Sequence, residues 1–150
     1  MQRDKDNKAL IILLLIVSLL GFADATYLTA EHYVGGTIAC SIFHGCEEVT
    51  NSQYSVILGV PLALLGALYY FAVFIMFIIY SDSRRIGFIK LAMAVTSLGF
   101  LLSLVLVYIQ LGVLHAICPY CMSSALFSTL LFIGSWYLLS ANRKRSQALT

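Results

Sequence analysis

Residues 9–28, 56–80, 87–113 and 116–141 each run for 20 or more positions almost without charge. A bilayer core of about 30 Å takes roughly 20 residues of helix to cross, so every one of these stretches is long enough to span it. The only Lys or Arg within them is Lys90, close to the start of the third, where a long side chain can reach back to the headgroups. Charged residues make up 11% of the chain, against about 25% in soluble domains. The expected fold is therefore an all-α membrane protein, a four-transmembrane-helix bundle forming one integral domain over residues 1–150.

The basic residues orient this bundle. Arg3, Lys5 and Lys8 precede the first span, Arg84, Arg85 and Lys90 surround the turn between the second and third, and Arg143, Lys144 and Arg145 follow the fourth. From Thr29 to Ser55, and at the turn around His115, there is no Lys or Arg. The positive-inside rule then places both termini in the cytoplasm and these two connections outside. Orientation accounts for the basic clusters, so no nucleic-acid partner is implied. Ala23-Asp24-Ala25 after the first apolar stretch resembles a signal-peptidase site, but the expectation is an intact first span.

Four cysteines fall in two pairs, Cys40-x5-Cys46 in the first outer connection and Cys118-Pro119-Tyr120-Cys121 at the start of the fourth span. Both pairs are expected on the oxidising side of the membrane, where thiols form disulfides. A C-x-x-C spacing suits thiol–disulfide exchange, and a disulfide closing so short a loop constrains the unfolded chain little. The second pair supplies something to exchange with, which makes the connection between the first two helices an outer redox loop. By residue type the four could instead hold zinc or be permanent structural disulfides, the weaker readings.

Local sequence refines the second pair. Cys118 is expected near the N-cap of the fourth helix, with Pro119 at the first helical position and Cys121 one turn deeper. Free N–H groups and the positive end of the helix dipole favour a thiolate there. On this reading Cys118 is the more accessible thiol and Cys121 the more buried one. The second span is expected to open with Pro61 in its early turns. Gly99 and Ser103, four apart, invite a close helix neighbour.

Other polar residues invite blander readings. His32, His44 and His115 are read as interfacial, and Asp24, near the end of the first span, as interfacial ahead of a hydrogen-bonded position inside the bundle. Tyr27, Tyr33, Tyr54, Tyr108, Tyr120, Trp136 and Tyr137 are read mainly as aromatic belts. No flavin or nicotinamide fingerprint is present to accept electrons from the thiols. A quinone dissolved in the bilayer, entering between helices beside Cys121, is the expected acceptor.

The ordered set Asp24-x2-Tyr27-Leu28-Thr29, Cys40-x5-Cys46, Ser52, Gly59-x-Pro61, Gly66 and Cys118-x-x-Cys121 resembles the bacterial branch of the vitamin K epoxide reductase (VKOR) family, over nearly the whole chain. That resemblance implies a bundle around a quinone, capped by the outer loop. It implies that Cys46 exchanges with the partner's thiols, that Cys40 attacks Cys118, and that Cys121 meets the quinone. Ser52 would match a Ser/Thr that hydrogen-bonds near the loop cysteines. Vertebrate members carry an amide where this chain has Ser55 and a tyrosine where it has Ala125, so these two candidate pocket positions favour ordinary quinone reduction over epoxide chemistry. Ubiquinone or menaquinone is the implied acceptor, with no metal.

The implied partner is a separate exported thioredoxin-fold (DsbA-like) oxidase, since some relatives carry a fused thioredoxin-like domain and this chain stops at Thr150. The implied location is the bacterial inner (cytoplasmic) membrane. DsbB-type proteins have the same number of spans and cysteine pairs in the opposite order. A non-enzymatic membrane protein with fixed disulfides is the rival of another class. The intact first span is checked by mass spectrometry of the purified protein: residues before Thr26 are expected to be present, and a mature chain beginning at Thr26 contradicts it.

Overall fold

The computed structural model describes residues 2–34, 56–57, 59–83, 85–115 and 117–147. They form α1 (Gln2–Val34), β1 (Val56–Ile57), β2 (Val60–Pro61), α2 (Leu62–Ser83), α3 (Ile86–Ile109), a π-helical turn (Gln110–Leu114) and α4 (Pro119–Gln147). Segments Asn7–Val34, Leu62–Ser83, Ile86–Leu114 and Pro119–Lys144 are long and apolar enough to cross a membrane. The chain is an integral membrane protein, and the expected four-helix bundle is what the sequence folds into.

The helices run up and down, with neighbours around the ring in chain order and α1 closing against α4. Val73, Phe77, Ile89, Ala92, Leu131 and Leu138 are fully buried at their contacts. Leu13, Ile16, Leu98, Leu101 and Ile133 are exposed outward, as lipid-facing side chains are. Small hydroxyl side chains join the core: Ser128 and Ser135 are buried on α4, and Thr96 returns its hydroxyl to the Ala92 carbonyl at 2.8 Å.

The second helix starts later than expected. Val56 pairs with Pro61 and Ile57 with Val60 in a short antiparallel turn, with Gly59 at φ +81°. That backbone angle suits glycine. The residue before a proline is pushed away from helical angles, so Val60 stays extended and the helix begins at Leu62. Pro61 thus closes β2 instead of sitting in the early helical turns.

Two adjacent tyrosines of α2 fasten the bundle. Tyr70, 2% exposed, lies over Gly21 of α1 so closely that a Cβ there would come within 2.5 Å of its ring. Its hydroxyl donates to the Ser124 carbonyl of α4 at 2.6 Å and lies 2.8 Å from the Ser124 hydroxyl. Tyr69 turns toward Gly99 of α3, where a Cβ would collide with its ring, and pairs with the Ser128 hydroxyl at 3.4 Å. The close approach expected at Gly99 is therefore made by α2. At the opposite end of the bundle the Asn142 amide of α4 donates to the Tyr80 hydroxyl of α2.

Gly21→Ala is expected to displace the Tyr70 ring and destabilise the protein by about 1–3 kcal/mol, the usual cost of overpacking. Thermal unfolding in detergent checks this, and an unchanged midpoint contradicts the packing assignment.

Candidate functional site

The chain reverses between α3 and α4 through unusual backbone. The π-helical turn ends when the His115 N–H bonds the Gln110 carbonyl, and His115 adopts left-handed angles at φ 49°. A wide π turn changes which way side chains point, and such turns recur at functional sites. Here Gln110 is 3% exposed, and its Oε1 accepts the Cys118 N–H at 3.4 Å. Pro119 then opens α4 as expected, because its missing N–H has no helical partner to lose. The Met122 N–H reaches the Cys118 carbonyl at 3.0 Å, which makes Cys118 the N-cap.

Cys118 and Cys121 are both free thiols in this structure. The exposure order is the reverse of the one expected. Cys118 is fully buried under Tyr27 of α1 and Tyr120 of α4, whose ring centroids lie 5.4 Å apart. Cys121 keeps part of its surface, and that surface faces a cavity inside the bundle. Helix-start position alone predicted an open Cys118; the tyrosine pair from two helices closes it. Tyr27 and Tyr120 consequently serve as a cover instead of a bilayer belt.

The Cys118 thiol is shifted down to about 7. The largest cause is the hydrogen bond from the Cys121 thiol, followed by the backbone N–H groups of Cys121 and Tyr120, while burial acts in opposition. The helix-start donors expected from sequence are thus present, with a side-chain donor ahead of them.

Below the pair lies a cavity of about 320 Å³, bordered by Asp24, Tyr69, Tyr70, Gln110, Ser124 and Ala125 among others. Its wall is mostly apolar, and it falls at the lower end of the range of small-molecule sites, about 300–1,000 Å³. Leu65 of α2 and Leu98 and Leu102 of α3 line it and are themselves exposed toward lipid, so it opens sideways between these helices. A flat apolar ring with a lipid tail fits such a wall and opening.

Of the residues singled out in the sequence, Cys121 and Ala125 line this cavity, and Cys118 packs against Cys121 behind its wall. Cys40, Cys46, Ser52 and Ser55 lie outside the described residues. Asp24, expected at the membrane interface, instead lines the cavity, and its Oδ2 is buried without a hydrogen-bond partner among the described residues. His32, expected as interfacial, is exposed and borders the same cavity. Tyr69, Tyr70, Gln110 and Ser124 were missed. The signal was available for two kinds of them: a tyrosine pair within a span, away from its ends, and an amide inside an apolar run both need a reason to be in hydrocarbon.

The chain matches the Vitamin K epoxide reductase family over residues 12–136. No match was found among curated proteins.

The Cys118 assignment has a direct readout. Ultraviolet thiolate absorbance of the reduced protein is expected to rise as pH increases through about 7, since Cys118 is thiol below that value and thiolate above it. Cys118→Ser should remove this step. Cys121→Ala removes the leading donor and should move the step up toward the ordinary thiol value of about 8.5. A wild-type step already at that ordinary value contradicts the hydrogen-bonded arrangement.

Proposed function

The chain belongs to the vitamin K epoxide reductase family, and on that premise we propose that it is a thiol:quinone oxidoreductase that re-oxidises an exported thioredoxin-fold (DsbA-like) protein. The observation that carries this reading is the pairing of a low-pKa Cys118 thiol with a Cys121 that opens onto an apolar, laterally open cavity. One thiol of such a pair suits exchange with another disulfide, and the other is placed beside a lipid-soluble acceptor.

The quinone, ubiquinone or menaquinone, supplies a two-electron acceptor when bound. Ala125 and Ser124 would border its ring, and the gap at Leu98 and Leu102 would leave room for its tail. Cys46 takes the partner's electrons by forming and resolving a mixed disulfide, and the Cys40 thiolate then attacks the Cys118–Cys121 disulfide at Cys118. The bond between Cys118 and Cys121 breaks, and Cys121 leaves toward the cavity as a thiolate that takes up one of the two protons given up by the partner's thiols. When the Cys46 thiolate attacks Cys40 and closes the Cys40–Cys46 disulfide, Cys118 is released as an anion that the hydrogen bond from the Cys121 thiol and the N–H groups at the start of α4 stabilise. Cys46 and Cys40 act in this scheme on the strength of their sequence pattern.

The scheme includes an orientation. The basic clusters support a placement with both termini in the cytoplasm, and the cysteines would then face the oxidising compartment where an exported partner would be found. Ala125 supports ordinary quinone reduction over epoxide chemistry, because a methyl group on the cavity wall offers no hydroxyl to the ligand.

With purified protein and a quinone, Cys118→Ser and Cys121→Ala are expected to abolish quinol formation with any thiol donor. Cys40→Ser and Cys46→Ser should abolish it with a reduced thioredoxin-fold partner and retain it with dithiothreitol. Thiol trapping should capture a Cys40–Cys118 mixed disulfide. Full activity in Cys121→Ala defeats the scheme, and non-exchanging disulfides would mark a structural protein.

A further inference from the structure

The two-electron step needs protons, and the cavity holds a carboxyl group for which the packing gives no other employment. Asp24 lines the same wall as Cys121, and its Oδ2 is buried with no hydrogen-bond partner among the described residues. It is near enough for its charge to act on the Cys118 thiol. A buried polar atom left unpaired costs about 1–3 kcal/mol, more when charged, so its placement calls for an explanation.

The other groups around the cavity narrow the choice. His32 faces it from α1, Tyr69 and Tyr70 from α2, Gln110 from the end of α3, and Cys121 and Ser124 from α4. Among the described residues no lysine, arginine or glutamate lines it. The Tyr70 hydroxyl already donates to the Ser124 carbonyl, and the Tyr69 hydroxyl is paired with Ser128. Gln110 has no exchangeable acid proton and is engaged by the Cys118 N–H. Asp24 is left with an uncommitted acid–base group. An ionised carboxylate without a cation is expensive to hold in such a place, and the neutral acid is the form it accommodates.

We propose that Asp24 is the general acid of the quinone step: its carboxyl group gives a proton to a quinone oxygen and recovers one from the Cys121 thiol. This rests on the quinone reduction proposed above. Overall, the Cys118 thiolate, the Cys121 thiol, one quinone and one proton from solution become the Cys118–Cys121 disulfide and one quinol. The sulfur–sulfur bond forms, the pair gives up two electrons, and both quinone oxygens end protonated. Asp24 carries one of the two protons and returns to its starting form.

The other proton enters from the surface end of the cavity. Asp24, Leu28 and His32 lie at successive four-residue steps of α1, all border the cavity, and His32 is exposed. The His32 edge thus joins the cavity to the surface at the end of the bundle where the cysteine pair sits.

The test uses the full-length protein in detergent or nanodiscs, with two readouts. Infrared difference spectra of the oxidised protein, with and without a quinone analogue, should contain a shifted carboxyl stretch in wild type that is lost in Asp24→Asn. With saturating dithiothreitol as donor, quinol formation should fall about a hundredfold in kcat in Asp24→Asn, with the KM for quinone within about threefold, in line with removal of a general acid. The pH profile of that step should lose one limb in Asp24→Asn and recover it, displaced, in Asp24→Glu. A Cys118 ionisation step should persist in both variants, displaced at most downward in Asp24→Asn because a neighbouring negative charge is lost, which separates proton transfer from damage to the cysteine pair. A wild-type carboxyl band that does not respond to the quinone analogue overturns the assignment, and so does an Asp24→Asn variant with wild-type kcat and pH profile. Wild-type protein that forms no quinol with any thiol donor instead overturns the quinone reading itself. If Asp24→Asn does not fold, the wild-type band and the Asp24→Glu profile decide.

Discussion

Everything in this bundle hangs on the seating of Tyr69 and Tyr70. These neighbours on α2 diverge, one ring over Gly99 of α3 and the other over Gly21 of α1, and each hydroxyl reaches a serine of α4. Between lipid-facing helices there is little hydrophobic force to draw surfaces together, so close backbone approach and buried hydrogen bonds carry the association. The tyrosines supply the hydrogen bonds and, in place of backbone-to-backbone contact, rings laid on glycines at one level of the membrane. They also line the cavity, which means that the contact holding the helices together sets the width of the space beside Cys121.

The cysteine pair depends on a second local device, the π-helical turn at the end of α3. By changing the turn at Gln110–Leu114, the backbone aims the Gln110 amide at the Cys118 N–H and leaves His115 to reverse the chain in a left-handed conformation. Cys118 is then held as an N-cap beneath two tyrosine rings, and Cys121 is one turn deeper and open to the cavity. The two thiols therefore meet different surroundings although only two residues separate them. A covered, acidified thiol and a neighbour facing an apolar space are the division of labour that the proposed relay, from a water-soluble partner to a membrane acceptor, would need.

Much of this was legible from the chain. Span lengths, the Pro119 start of α4, the close approach at Gly99 and the thiolate-favouring donors at Cys118 follow from local chemistry, and the structure agrees with each. Misjudged were features that need a second helix. Cys118 was read as open because its cover comes from Tyr27, some 90 positions earlier. Local sequence favours an interfacial Asp24 because nothing in its own helix says that a cavity lies beside it. Pro61 was read as helical, whereas its effect on Val60 kept that segment extended.

Four membrane-crossing helices and a cysteine pair at a helix start follow from the order of residues alone, because length, charge and proline act locally along the chain. Tertiary structure alone decided which faces turn inward, since all sides of a membrane helix are apolar and periodicity fades as a guide. It was packing that put Tyr69, Tyr70, Gln110 and Asp24 around one cavity with Cys121, because side chains from different helices become neighbours only when those helices meet.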